Sequence, residues 1–216
     1  MSQITETPTG ALHAPDGYDA SANSKGARTR QAILDAAIVR FGREGFRSTS
    51  VTDITRDAGV GGTVAYTYFP NKEALFFAAI DEDAAHLIRI GLDFLEAHQE
   101  SDWRQNLLFF VAAAVNDHPL ARRLLAGLEP EVTSRVLELP ALTDLRAACT
   151  DKLRADQVSG RVRPDIDPVV VGNGLVTILL SLLMSIVQLG GTSVSTYADS
   201  VDAVLRAALD PPTPAP

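Results

Sequence analysis

Residues 50–75, SVTDITRDAGVGGTVAYTYFPNKEAL, constrain the fold of this chain more than any other stretch. Ser50 and Asp53 stand three apart just ahead of an apolar run, a capping-box spacing that satisfies amides orphaned at a helix start. Val51, Ile54 and Ala58 then share one helical face, and Gly59 supplies the stop. A second helix is predicted at 63–68, too short to persist alone and therefore dependent on packing. A third begins at once, near Asn71. Upstream, TRQAILDAAIVRFGREGF puts Ile33, Leu34, Ala37, Ile38 and Phe41 on one face of a longer amphipathic helix.

A short helix held rigidly with its polar side outward suits insertion into a DNA major groove. The ordered series Thr49, Val51, Ile54, Ala58-Gly59-Val60, then Tyr66, Phe69, Lys72, Glu73 and Leu75, with the amphipathic helix before it, resembles the tetracycline-repressor (TetR/AcrR) family of bacterial regulators. The resemblance spans residues 27–87; beyond them it rests on an all-helical architecture alone. It implies an all-α fold of about nine helices, with a three-helix helix-turn-helix DNA-binding domain at 25–70 and a helical effector-binding and dimerisation domain at 71–209. It further implies a homodimeric, sequence-specific transcriptional regulator, a repressor released by a small apolar or amphipathic effector. Its partners would be double-stranded operator DNA, that effector and a second copy of the chain.

Charge bears on this reading through its distribution. The net charge of −8 argues against nucleic acid, but residues 25–70 hold seven cations and four anions, +3, while residues 1–24 carry −3 and residues 71–216 carry −8. A basic end on an acidic body orients an encounter with phosphates. One cysteine, Cys149, excludes an intrachain disulfide, and no secretory signal opens the chain, which suits a reducing cytoplasm.

Residues 1–24 and 210–216 lack apolar periodicity and are expected to be disordered tails. Between them, helices are predicted near 27–45, 51–58, 63–69, 71–98, 102–117, 119–126, 130–158 with a break at Pro140, 168–189 and 194–209. Residues 168–198 contain no charge, so a membrane span has to be weighed. Against it, Asn173, Thr177, Ser181, Ser185 and Gln188 fall on one side of a helix, and the flanking charges are acidic. Burial between a domain core and a second subunit fits better. In the resembled family the last two helices form a four-helix dimer interface, which assigns Gly174, Thr177, Ser181, Ser185, Val201 and Leu205 to that surface here.

By position in the motif, the DNA-facing candidates are Ser50, Thr52, Gly61, Gly62, Thr63, Tyr66, Thr67 and Tyr68, with Lys72, Arg28 and Arg30 against the backbone. Val64 and Phe69 are expected to pack, and Tyr66 reads either as half core or as a contact. Gly61 and Gly62 depart from the family, which commonly has a serine cap and then a basic or polar residue there. The helix at 63–68 therefore has no Arg, Lys, Asn or Gln for bidentate base contacts, so readout must lean on threonines, tyrosines and DNA shape.

The body offers many apolar residues and few convergent polar ones. Phe94, Trp103, Phe109, Phe110, Leu124, Leu128 and Met184 would line an effector pocket or fill a core. Glu82 and His86 stand four apart, as two metal ligands or an ion pair would, but no third ligand joins them; no metal and no cofactor is expected. No phosphate loop, nucleophile elbow or His-Glu-x-x-His pattern occurs, and Cys149 sits in an apolar context, which argues against an enzyme. The alternative is a helical adaptor that has lost specific DNA binding, which the two glycines make conceivable.

Overall fold

The computed structural model describes residues 20–98, 103–133, 136, 138–190 and 192–211, and in them the chain forms ten α-helices and a 3₁₀ turn, with no strand. Helices α1 (Ala20–Ser48), α2 (Val51–Asp57) and α3 (Ala65–Tyr68) build the N-terminal head. The long α4 (Lys72–Ala97) leads out of it, capped by Asn71, whose side chain accepts the Ala74 amide at 2.8 Å. The body follows as α5 (Trp103–Ala114), the 3₁₀ turn Val115–Asp117, α6 (Pro119–Leu125), α7 (Pro130–Thr133), α8 (Pro140–Val158), α9 (Pro168–Leu189) and α10 (Thr192–Leu209).

One boundary differs from the sequence reading. Helix α1 starts at Ala20, so residues 20–24 are helical rather than tail; residues 1–19 and 212–216 lie outside the described residues. The break expected at Pro140 is present: α7 ends at Thr133, and Pro140, whose missing amide is not needed in a first turn, opens α8.

The apolar face read from the sequence is the core of the head. Ile33, Leu34, Ala37 and Phe41 of α1 are fully buried against Ile54 of α2, Ala65 of α3, and Leu75 and Phe76 of α4. Phe76 sits edge-on to Phe41 at 4.9 Å and beside Phe46 at 4.9 Å. The same core continues along α4 through Leu87 and Phe94 into α5, α6 and α8, so head and body share one apolar interior.

The junction rests on α6. This helix crosses α1 at Gly42, where a Cβ would stand 2.7 Å from the Pro119 backbone; no larger residue permits so close an approach. Neither His118 nor Pro119 caps α6 with a side chain. The cap comes from α4. Asp83, 3% exposed, accepts the amides of Leu120 (3.0 Å) and Ala121 (2.8 Å) through one oxygen and pairs with His118 Nδ1 (2.9 Å) through the other. A carboxylate at a helix start satisfies orphan amides and meets the positive end of the helix dipole. Nearby, Gly45 kinks α1 at φ 84°, and the Phe46 amide beyond it donates to Glu129 (3.2 Å), which Arg123 of α6 also holds (2.7 Å).

Helix α9 is long and apolar enough, at a mean hydropathy of 2.2, to cross a membrane by length and composition. One side of it, with Val176, Leu179 and Leu183, is buried in the body. The other side, with Val170, Asn173, Gly174, Thr177, Ile178, Ser181 and Ser185, is exposed in the single chain.

Removing the Asp83 carboxylate should expose the dependence on this junction. Asp83→Ala leaves two buried amides unpaired and is expected to cost about 3 kcal/mol. Urea unfolding followed by far-ultraviolet circular dichroism measures it; a loss below about 0.5 kcal/mol would mean the cap does not hold the junction.

Candidate nucleic-acid interface

The surface of the head follows from how its motif is capped. Ser50 accepts the Asp53 amide at 3.1 Å, and its hydroxyl donates to the Asp53 carboxylate at 2.6 Å, closing the box read from the sequence. Ser50 is therefore committed to the cap, whereas Thr52, two positions on, is exposed with its side outward. Thr55, also in this helix, is fully buried and donates to the Thr52 carbonyl at 3.0 Å.

The turn ends as expected at Gly59, with φ 67°. Helix α3 is shorter than expected. Its α-helical part is Ala65–Tyr68, preceded by a tighter turn in which the Val64 amide donates to the Gly61 carbonyl at 2.9 Å and the Tyr66 amide to the Thr63 carbonyl at 3.2 Å. Gly61 offers no side chain to cap an α-helical first turn, so the helix opens with three-residue closures instead. Ala65 and Phe69, both nearly fully buried, anchor this segment to α1. Gly61, Gly62, Thr63, Tyr66 and Thr67 face outward, Tyr66 at 54% exposure, which places its ring on the surface rather than in the core. Tyr68 is half-buried, with its hydroxyl beside Gly26 of α1. No atom lies within 4 Å of a Cβ placed on Gly62, so a larger side chain has room there.

The basic charge of the head is distributed unevenly. Arg40 binds Asp57 at 2.6 Å and Glu44 at 3.4 Å, Arg43 binds Glu44, Arg56 binds Asp53 and Arg47 binds Glu131 of α7. The remaining cations, Lys25, Arg28 and Arg30, are exposed along the start of α1. Arg30 lies over the Phe69 ring at 5.3 Å and Lys72 over Phe46 at 4.5 Å, so an aromatic face holds each of these two cations. Sequence reasoning passed over Phe46 and Phe69 in this role, because a ring read as packing gives no sign of what stands on its outer face.

In the body, the sequence-selected aromatics do not converge on one pocket. Trp103, buried, donates its indole N–H to Asp156 at 3.0 Å and borders a cavity of about 50 Å³ together with Phe109, Cys149, Val201 and Leu205. Leu124 lines a second cavity of about 50 Å³ among α4, α5, α6, α8 and α9. Phe94 is buried against His98 and Phe110, while Phe110 and Leu128 are largely exposed and Met184 is half-buried; none of these four lines either cavity. Burial pushes the Cys149 thiol up to about 12, so it stays protonated. Glu82 and His86 face each other at 3.4 Å on an exposed stretch of α4, the ion-pair arrangement of that spacing.

Electrostatics of the cap give a further test. The Ser50 hydrogen bond, then Arg56 and Arg40, hold the Asp53 carboxyl below its ordinary 3.8 against the opposing effect of burial. A carboxyl lowered by folding contributes stability that is present above the ordinary value and disappears as pH falls through the folded one. Ser50→Ala should therefore return Asp53 toward 3.8, read by carbon-detected NMR titration, and cost about 1 kcal/mol at neutral pH. An unmoved titration would place the Ser50 hydroxyl elsewhere in solution.

The sequence profile of bacterial regulatory proteins of the tetR family matches residues 33–79, the span from the core of α1 through α3 into α4. The chain is 31% identical over 149 residues to the HTH-type transcriptional repressor Rv1474c of Mycobacterium tuberculosis, covering 65% of this chain and 72% of that one. It is 33% identical over 156 residues to the HTH-type transcriptional regulator RutR of Escherichia coli K12, covering 64% and 66%. Among solved structures it is similar to a γ-butyrolactone receptor (ArpA-like protein), with 26% identity, a TM-score of 0.55 and coverage of 87% and 90%. The fold is shared with a TetR-family regulator from Mesorhizobium loti at a TM-score of 0.68 and 21% identity, covering 87% and 99%. A chain with an exposed short helix behind a glycine turn, on an all-helical body, thus has relatives along most of its length and belongs to the TetR family of DNA-binding transcriptional regulators.

Proposed function

We propose that the chain is a homodimeric cytoplasmic repressor that reads operator DNA with α3 and releases it when a small molecule enters the body. The observation that carries this reading is the rigid outward face of Gly62, Thr63, Tyr66 and Thr67, pinned from behind by Ala65 and Phe69. That Rv1474c is named a repressor and a structural relative a γ-butyrolactone receptor supports repression and small-molecule response in this chain as well. Since α3 has no long base-reading side chain, phosphates supply most of the affinity, through Lys72, Tyr66, Tyr68, Arg28 and Arg30, while Thr63 and Thr67 touch base edges and Thr52 flanks them.

Dimerisation is supported by the outer face of α9. The hydroxyls of Thr177, Ser181 and Ser185 each donate to the carbonyl four residues earlier, at 2.9, 2.9 and 3.0 Å, so they satisfy themselves and leave a narrow, mostly apolar profile with Gly174. A helix this apolar with its outer side uncovered fits a second copy better than water. Val201 and Leu205 turn toward α5 and α9 of their own subunit, and Val204, 67% exposed, is the α10 residue that would meet the partner. Coupling of about 1–3 kcal/mol between effector and operator would suffice for a useful response.

Lys72→Ala should weaken operator and scrambled duplexes by similar factors and flatten the salt dependence by about one phosphate contact per subunit. Thr63→Ala and Thr67→Val should instead narrow the gap between the two duplexes, and Gly62→Arg should raise affinity for both. Fluorescence-anisotropy titrations across a salt series read these effects; equal losses at both duplexes for the threonine variants would remove them as readers. Ser181→Arg, which places bulk and a charge on the α9 face, should yield monomers by light scattering at micromolar concentration. A persisting dimer would put the interface elsewhere.

A further inference from the structure

Lys72 opens α4 and carries the wrong charge for that place, because the start of a helix presents positive partial charge. Among the described residues no carboxylate pairs with it; its ammonium stands over the Phe46 ring at 4.5 Å. An aromatic face holds this cation, so the position of the ring decides where the cation is offered. Phe46 is placed from two sides. Its ring packs beside Phe41 and Phe76 in the head core, with centroids at 6.2 and 4.9 Å. Its amide donates to the Glu129 carboxylate at 3.2 Å, and Arg123 Nε of α6 holds the same oxygen at 2.7 Å. Both body side chains are largely buried, Glu129 at 14% and Arg123 at 21% exposure. The backbone leading into Phe46 does not direct it, since Gly45 at φ 84° is a permissive joint. Arg47, one position further, pairs with Glu131 at 2.7 Å, but that pair is exposed at both ends and constrains little.

From this we infer that Glu129 is the positioning residue of Lys72: from the body it fixes the amide of Phe46, and thereby sets the aromatic seat from which Lys72 reaches a phosphate. The inference rests on the reading above for the phosphate contact; the seat itself belongs to the free protein. Positioning and plain electrostatics predict opposite signs here. A carboxylate on a DNA-binding protein repels phosphates, so removing its charge alone strengthens binding. If Glu129 seats Lys72, removing its oxygens weakens binding instead. Glu129→Gln separates the two effects, because it removes the charge and keeps an oxygen for the Phe46 amide, whereas Glu129→Ala removes both.

The test uses the full-length protein and two readouts. In the free protein, NMR follows the ε-methylene protons of Lys72, which the Phe46 ring current shifts upfield. They should return toward unshifted values in Phe46→Leu and Glu129→Ala, and stay in place in Glu129→Gln and in Glu131→Ala, the exposed neighbouring pair. Anisotropy with a random-sequence duplex across a salt series reads the phosphate contact. Glu129→Ala should bind severalfold more weakly than Glu129→Gln, which carries the same charge, and its salt dependence should flatten by about one phosphate contact per subunit. In a Lys72→Ala background the two Glu129 variants should bind alike, because a residue acting through Lys72 has nothing left to lose there. A residue that only stabilises the fold would cost as much with Lys72 absent as present. Lys72 protons unmoved by Glu129→Ala, or moved as far by Glu131→Ala, or an undiminished gap between the Glu129 variants in the Lys72→Ala background, overturns the inference. If the protons move as stated while Lys72→Ala leaves DNA affinity unchanged, Glu129 is upheld as the residue that seats Lys72, and the phosphate-contact reading falls instead.

Discussion

The Asp83 carboxylate is the interaction on which the two halves of the molecule depend. It lies on α4, the helix that belongs to both head and body, and closes the open end of α6 by accepting two of its first amides. Helix α6 in turn lies against α1 closely enough that Gly42 cannot carry a side chain without displacing it. With no capping side chain of its own, α6 would otherwise bury a positive helix end and unpaired amides. The Arg123–Glu129–Phe46 contact repeats the arrangement one turn further on: a body carboxylate holds a head amide beyond the kink at Gly45. The orientation of the head on the body is thus set by hydrogen bonds that cross from one half to the other, and the small residues Ala84 and Ala121 bring the apolar cavity to the same place.

On the head, economy of charge is the governing feature. Arginines that a count of composition would assign to DNA are spent on carboxylates that tie α1 to α2 and α7. Near the beginning of α1, Arg30 is seated on the Phe69 ring, and at the start of α4 Lys72 is seated on the Phe46 ring. A cation resting on an aromatic face keeps its hydrogen-bond donors available while losing less rotamer freedom on contact. Under the proposal that α3 reads DNA, these cations would offset a motif that two glycines precede and leave shape and methyl contacts to α3.

Much of the head was legible in the sequence because its signals are local. The Ser50–Asp53 box, the Gly59 turn and the apolar face from Ile33 to Phe41 each involve residues within a few turns of one another. The break at Pro140 was legible for the same reason. The start of α3 was misplaced because a glycine at its cap position permits either a tight or an α-helical first turn, and packing decides. Asp83 was missed entirely. As the last of three consecutive acidic residues after Ile80, Asp83 looks like part of a solvent-facing stretch until residues 118–121 arrive from elsewhere in the chain. Of the pocket residues chosen by size, Trp103, Phe109 and Leu124 border a cavity while Phe110 and Leu128 face out, since side-chain volume does not reveal direction.

The central claim, that the short helix behind the glycine turn reads DNA with the aid of two aromatic-seated cations, is tested most directly by hydrogen exchange with and without a saturating operator duplex. Amides of residues 61–69, together with those at the start of α1 around Arg28 and Arg30, should slow the most on binding, with smaller changes at α6 transmitted through the Asp83 cap. Protection confined to α9 and α10, or an operator complex that leaves residues 61–69 exchanging at their free rates, would contradict the account.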